Sequence, residues 1–396
     1  MSTLLDLSTA KLNQLWSEVK DYYTDWEKAV YGEPMRRSLK ELLEGALKAE
    51  LLGYTKAGWY QRTKARLDYR NGFYRRNLIT AFGLIPQLLV PRRRGGGFRT
   101  RVFHRYRRRW QVVDDWIRGI FILGVSTRAV GWVMKELLGV PISAGAVSAI
   151  NKALDQQVKV FHERGVGDDY RYLFLDGVVQ KVMSSGRLVK KLVLVAYGVT
   201  VTGVRAVIDF RVVKGETAHD WEVFLTDLYR RGFKGANLRL VVTDGGKGLL
   251  AALELVYPHV AWQRCWVHKL RNVTCYVPRR YQLECLAGAR KIYLAANRRE
   301  AVQRFKEWKR RWQTKVPKAV HCLEKDLDGL LTFFDEDKKL WVKLRTTNAI
   351  ERLFRELRKR TRSMYFFSDE HSCHRIIYAL FTNYNKKWEG SPLWKT

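Results

Sequence analysis

The sequence predicts a mixed α/β core on a five-stranded sheet, carrying an all-helical insertion and preceded by mainly helical regions. Three observations predict it. The apolar pattern changes from helical to strand-like at Tyr170–Val182, Leu188–Thr200 and Val204–Val213, the second of these rich in β-branched residues. A helix then reads from Glu216 to Arg231, buried through Trp221, Phe224, Leu225 and Leu228. After it come a short apolar strand (Leu238–Thr243), a helix (Leu249–Tyr257) and a strand (Val260–Trp266). From about His268 to Trp341 the chain is helical again, dense in basic and aromatic residues such as Lys306, Trp308, Lys309 and Trp312.

Three strands, a helix, a strand, a helix and a fifth strand is the element order of a ribonuclease H-like core. Ahead of it, residues 1–70 read as helical, with Leu39, Leu42, Leu43, Ala46, Leu47 and Leu51 at helical spacing. Tyr69–Arg76 is a turn signal rich in aromatics and arginine. Asn77–Pro91 holds two apolar runs around Gly83 and predicts a hairpin in which Pro86 needs an edge position. From Val112 to Val158 the pattern is helix, helix, turn, helix. Gly139 ends one helix and Ser143 opens another containing Val147, Ile150 and Leu154. That is helix-turn-helix spacing, with Ser148 and Lys152 on the candidate recognition helix, although small helical bundles share it. Five regions follow: 1–95, 96–165 with the helix-turn-helix, 166–266 as the first part of the core, 267–342 as the insertion, and 343–396 as the second part.

Charge narrows the partner. Lys and Arg total 73 against 39 Asp and Glu, a net +34 at pH 7. Self-repulsion of that size favours sharing the field with a polyanion, and counterion release from phosphates makes nucleic acid the expected one. Apolar residues at 46% exclude a disordered chain. No apolar run is long enough to span a bilayer, and Met1–Ala10 lacks the basic start and apolar core of a signal peptide. Five Cys, an odd count, point to a reducing cytoplasm rather than a disulfide framework. Between Pro91 and Trp110 nine arginines occur without an acid: Arg92, Arg93, Arg94, Arg99, Arg101, Arg105, Arg107, Arg108 and Arg109. Broken by Gly95-Gly96-Gly97, they read as a flexible basic loop on a phosphate backbone rather than a packed element.

Asp176 falls mid-strand among apolar residues, where a lone carboxylate is costly. Asp244 ends the fourth strand, ahead of glycines that permit close approach. In this fold the first and fourth strands are neighbours, so the two carboxylates converge. Thr346–Arg362 reads as a helix with Ile350, Leu353, Phe354 and Leu357 on its buried stripe and Glu351, Arg355, Arg358 and Arg362 along another line. Alone, Glu351 is an ordinary acid at a helix N-terminus; with Asp176 and Asp244 it completes a set suited to two Mg²⁺ ions, with Mn²⁺ as a substitute. Arg355, Arg358 and Arg362 are then candidate phosphate contacts. Asp209, Glu216 and Asp220 have ordinary roles available, on an outward strand face or at a helix start. Cys265 and His268 form a Cys-x-x-His pair at the end of the fifth strand. As half a zinc set it makes structural zinc unlikely, and a role at the active-site edge is favoured. A last helix spans about Asp369–Trp388.

Leu175-Asp176-Gly177, Val242–Gly248, Gln263–Val273 and Thr347–Arg352 resemble the Mutator-type transposases of bacterial insertion sequences, the insertion sequence 256 group. Tyr69–Gly72 and Gly124–Arg128 are similar to that family's N-terminal half. The resemblance implies an acidic triad at Asp176, Asp244 and Glu351, with the Cys265–His268 element and a helical insertion before the glutamate. It further implies Mg²⁺-dependent cleavage at terminal inverted repeats, joining of a 3′-hydroxyl to target DNA, and a homodimer holding two ends at the bacterial nucleoid. A structure-specific nuclease on the same core and a non-catalytic helix-turn-helix DNA-binding protein are the alternatives.

Overall fold

A computed structural model describes residues 32–394 apart from Gly97, Arg105 and Ser363. The readings made for Met1–Ala10, for the rest of residues 1–31 and for Arg105 lie outside it. The chain divides after Lys152 into two compact units. Among the described residues, no helix is long and apolar enough to cross a membrane.

In the first unit, α1 (Glu33–Thr55) lays Leu43 and Leu47 on a hairpin of β1 (Arg70–Thr80) and β2 (Gly83–Arg93). The hairpin is longer than expected, because the Tyr69–Arg76 turn signal belongs to β1. Gly72, at φ 68°, sits in a register shift between Arg70 and Phe73, so a bulge carries the turn-like composition inside a strand. Pro86 lies at a second shift opposite Asn77, whose Oδ1 accepts from Gln87 N at 3.0 Å. In a two-stranded ribbon both strands are edges, and the missing proline N–H costs nothing. The basic stretch is also less free than expected. Arg93 pairs with Asp68 at 2.9 Å and Arg109 with Asp114 at 2.7 Å, while Glu50 accepts from Arg101 N at 3.1 Å.

Helices α2 (Gln111–Ile122), α3 (Thr127–Leu138) and α4 (Ala144–Lys152) enclose Val113, Ile117, Val130, Met134 and Val147. Ser126 and Ser143 accept from Ala129 N and Ala146 N, and Gly139 at φ 70° ends α3. A Cβ at Gly131 would stand 2.3 Å from the Ile142 carbonyl, so only glycine lets α3 touch the turn. The last helix stops earlier than expected. Asn151 Nδ2 donates to Val147 O at 2.7 Å, a side-chain bond that competes with the helix, and Leu154 belongs to the next one, α5 (Leu154–Glu163).

The second unit is a mixed α/β fold on a five-stranded sheet. β3 (Tyr170–Ser184), β4 (Arg187–Thr200) and β5 (Arg205–Val213) run antiparallel; β6 (Leu240–Thr243) and β7 (Ala261–Arg264) continue beside β3 in parallel. The order is β5-β4-β3-β6-β7. α6 (Ala218–Arg230) and α7 (Lys247–Val256) cover one face through Trp221, Leu225 and Leu253 on Leu173, Leu175 and Leu194. A helical insertion leaves after β7 as α8 (Trp266–Thr274), α9 (Arg279–Tyr293), α10 (Arg298–Trp312), α11 (Pro317–Glu324), α12 (Leu327–Leu331) and α13 (Trp341–Leu344). α14 (Asn348–Arg362) and α15 (Glu370–Glu389) then return to the sheet.

Asp209 overturns the outward-facing expectation. A register shift in β5 opposite Ala196 and Tyr197 breaks the alternation and turns its carboxylate inward, where it is 2% exposed. There it meets Arg231 and, at 2.7 Å, His162 Nδ1. Removing one partner of a buried pair leaves an uncompensated charge. Arg231→Ala is therefore expected to lower stability by about 3–5 kcal/mol, read as a fall in the urea midpoint of the full chain.

Candidate active site

Strand alternation and the parallel ladder set the site. Leu173 and Leu175 point into the core under α6 and α7, so Phe174 and Asp176 face the other side. There Phe174 meets Tyr197 edge-on, and Tyr197 in turn meets Trp388 of α15. The last paired rung of β3 and β6 is Phe174 with Val242. Asp176, still on β3, and Asp244, just past the end of β6, each lie two residues beyond it. β6 ends at Thr243, and Gly245 turns the chain at φ 80°, where a Cβ would strike the Arg264 guanidinium at 2.6 Å. Asp244 Oδ1 accepts from Gly246 N at 2.9 Å.

Glu351 arrives in the first turn of α14, whose buried stripe is Ile350, Leu353, Phe354 and Leu357 as expected. The start of this helix is tied to the end of β7. Thr347 donates from both its N–H and its Oγ1 to Cys265 Sγ, each at 3.3 Å, and Thr347 O accepts from Glu351 N at 2.9 Å. Cys265 and His268 are not at the end of a strand. β7 stops at Arg264, Cys265 is the N-cap of α8, and His268 lies in its first turn. That placement turns His268 Nε2 towards Glu351 Oε1, at 3.5 Å, with Arg271 Nη1 at 3.6 Å from the same oxygen. A cleft of about 300 Å³ is lined by Asp176, His268, Arg271, Glu351, Arg355 and Arg358. Arg362, one turn further along, is not part of its lining.

Protonation follows from crowding. Burial pushes the Asp176 carboxyl up to about 7; Asp244 and Glu351 push the same way, against His268 and the Gly177 N–H. The Cys265 sulfur raises His268 to about 9, aided by Asp176 and Glu351 and opposed by burial. His268 Nδ1 is buried without a hydrogen-bond partner of ordinary geometry among the described residues. Burial favours the neutral Cys265 thiol, yet contacts with His268 and Thr347 hold its pKa below the usual thiol value. Among the described residues, no three His, Cys, Asp or Glu side chains stand as a ready-made metal-holding group.

Sequence reasoning misses one neighbour, Arg271, and gives another, Glu216, only an ordinary role. Arg271 follows His268 by three residues on one helix, a spacing that would have found it. Glu216 accepts from Trp221 Nε1 at 3.2 Å, and its pKa is raised by burial and then by Asp244; nothing in its local pattern marks it. Asp220 closes a capping box with Thr217, the ordinary role expected of it. In the first unit, Arg92, Arg94, Arg99, Arg101, Arg107, Arg108, Ser148 and Lys152 are exposed, while Arg93 and Arg109 are partly covered by their ion pairs.

Comparison with known proteins gives this geometry its context. The model of the Mutator family of transposases matches residues 12–391. The chain belongs to that family. It is 36% identical over 356 residues to the transposase for insertion sequence element ISRM5 of Rhizobium meliloti, covering 90% of this chain and 88% of that protein. It is 34% identical to the transposase for insertion sequence element IS406 of Burkholderia multivorans, over 89% of this chain and 90% of the relative. To the transposase for IS256 in transposon Tn4001 of Staphylococcus aureus it is 31% identical, over 85% of this chain and 86% of the relative.

The Cys265 tie is open to measurement. Cys265→Ala removes the acceptor of two buried donors on Thr347 and is expected to cost about 1–3 kcal/mol. Amide exchange should quicken at residues 347–351 and not in β3. Cys265→Ser, which keeps an acceptor, should have the smaller effect.

Proposed function

We propose that this Mutator-family transposase cuts DNA at the ends of an insertion sequence and joins the freed 3′-hydroxyl to target DNA by metal-assisted transesterification. What supports the reading is the placement of three carboxylates: Asp176 on β3 and Asp244 just past the end of the parallel neighbour β6, with Glu351 in the same cleft as Asp176. Asp244 and Glu351 are both close enough to raise the pKa of Asp176. The element order and the strand order β5-β4-β3-β6-β7 support a ribonuclease H-like core. The donor set suits Mg²⁺ or Mn²⁺, since carboxylate oxygens are hard ligands. Asp176, the most crowded acid, accepts one hydrogen bond among the described residues, from Gly177 N at 2.8 Å, and the attraction of His268 only partly offsets the burial and the like charges around it. Asp176, Asp244 and Glu351 would hold the ions. Bound divalent cations supply activation of the attacking hydroxyl and neutralisation of charge at the leaving oxygen.

The chain's own residues position the substrate. His268 and Arg271 orient the Glu351 carboxylate, while Arg355 and Arg358 offer guanidinium groups to DNA phosphates at the cleft. Arg362 extends that line towards DNA outside the cleft. Helices α3 and α4, joined through Gly139 and capped by Ser143, are read as a helix-turn-helix for the terminal repeats, with Ser148 and Lys152 exposed on α4. On this reading residues 96–165 serve DNA binding and residues 1–95 serve DNA binding or dimerisation, with a homodimer holding two ends.

Asp176→Asn, Asp244→Asn and Glu351→Gln are each expected to lower cleavage and strand transfer on the order of 10³-fold or more, with end binding retained in gel-shift assays. Chelation should abolish both reactions in the unaltered protein, and added Mg²⁺ or Mn²⁺ should restore them. Cleavage retained by Glu351→Gln would remove it from the triad. Reversing Arg355 and Arg358 to Glu should weaken DNA binding and flatten the slope of log affinity against log salt by roughly two. An unchanged slope would assign these arginines to a solvated face.

A further inference from the structure

A second concave site lies wholly in the first unit, between the β1–β2 hairpin and the basic segment after it. Its volume is about 1430 Å³, beyond the roughly 300–1,000 Å³ that encloses a small ligand, so a length of polymer fits it better. Among the described residues six arginines line it, including Arg75, Arg76, Arg92 and Arg99, and no carboxylate does. Phosphate chemistry alone would ask for no more. The same wall, however, carries aromatic rings. Arg76 lies over the Phe103 ring at 4.0 Å and Arg92 over the Tyr74 ring at 5.1 Å. Each of these guanidinium planes has one face on a ring and belongs to the cleft lining. Tyr106, also in the lining, is 83% exposed and held at φ 69°. A backbone in the left-handed region costs a non-glycine residue energy that its surroundings must offset.

We propose that this cleft binds single-stranded nucleic acid through its unpaired bases. In a duplex the base faces are covered by their neighbours, so rings and guanidinium planes find nothing to stack on. Unpaired bases present those faces, and aromatic and arginine platforms accept any of the four. Arginines without intervening acids then follow the sugar–phosphate chain. The proposal rests on DNA being this protein's partner and adds the form of DNA: a strand freed by cutting or by melting of an end.

The test uses the full chain, a fluorescent oligothymidylate of about 16 nucleotides and a mixed-sequence duplex of the same length. Tyr106→Ala should weaken the single strand at least about fivefold in anisotropy titrations and leave the duplex unchanged. Arg75→Ala with Arg92→Ala should weaken the single strand and lower its salt slope. Equal losses on both substrates in Tyr106→Ala, or none on either, would overturn the assignment. Independently of any variant, oligothymidylate carrying 5-iodouracil should crosslink to peptides containing Tyr74 or Tyr106; crosslinks found only in other peptides would also overturn it. Metal-dependent cleavage by the unaltered protein is untouched by these outcomes, so the catalytic reading stands or falls separately.

Discussion

Holding Asp176 at the inner edge of the sheet sets the terms for the rest of the second unit. A carboxylate there is partly withdrawn from water, and burial, with Asp244 and Glu351 adding to it, carries its pKa to about 7 against the pull of His268. The ladder that places it also places Asp244 beside it, because β3 and β6 run parallel and end their pairing together. An antiparallel neighbour would run away from that edge and bring its own ending to the far side of the sheet. Parallel pairing needs a crossover, and α6 supplies it while covering the opposite face. Folding therefore draws the acids together as a consequence of burying Leu173, Leu175 and Trp221.

Positive charge is distributed differently in the two units. In the second unit the cations near the cleft have assigned counterparts: His268 and Arg271 approach Glu351, and Lys269 and Arg264 pair with Asp326. Arg355 and Arg358 line the cleft without a carboxylate ion pair among the described residues. In the first unit the arginines lie on aromatic rings as often as on acids, as with Arg76, Arg92 and Arg93. Ring contacts leave the cation its net charge, so this arrangement fixes arginines in place without spending their attraction for phosphate.

Much of this was legible in the residues. The five strands, the crossover helices and the buried stripe of α14 follow from apolar period, since each is covered on a defined face. The places where sequence reasoning failed share one cause: local irregularity. Gly72 and Asp209 sit at register shifts, which move side chains off the face that simple alternation assigns. Cys265 lies at a strand-to-helix junction, and residues after it passed for strand because β7 is only four residues long. Glu216 differs from these: it joins the site through a tertiary contact that no local pattern encodes, whereas the i,i+3 spacing from His268 marks Arg271.

The late arrival of Glu351 also has a physical account. An insertion of six helices separates Cys265 from Thr347, yet its two ends are stitched together. Trp266 N donates to Arg345 O at 3.1 Å, and Thr347 donates twice to Cys265 Sγ. The insertion begins with the helix that carries His268 and Arg271, and both of these reach the glutamate that follows its end. The position of Glu351 is thus set by the stitched neck and by the Ile350–Leu357 stripe, not by what the insertion contains. Loop-closure entropy grows only slowly with length, so a long excursion between fixed ends costs little more than a short one. A carboxylate delivered on a helix, on the same side of the sheet as Asp176, tolerates such an excursion where a sixth strand in register would not.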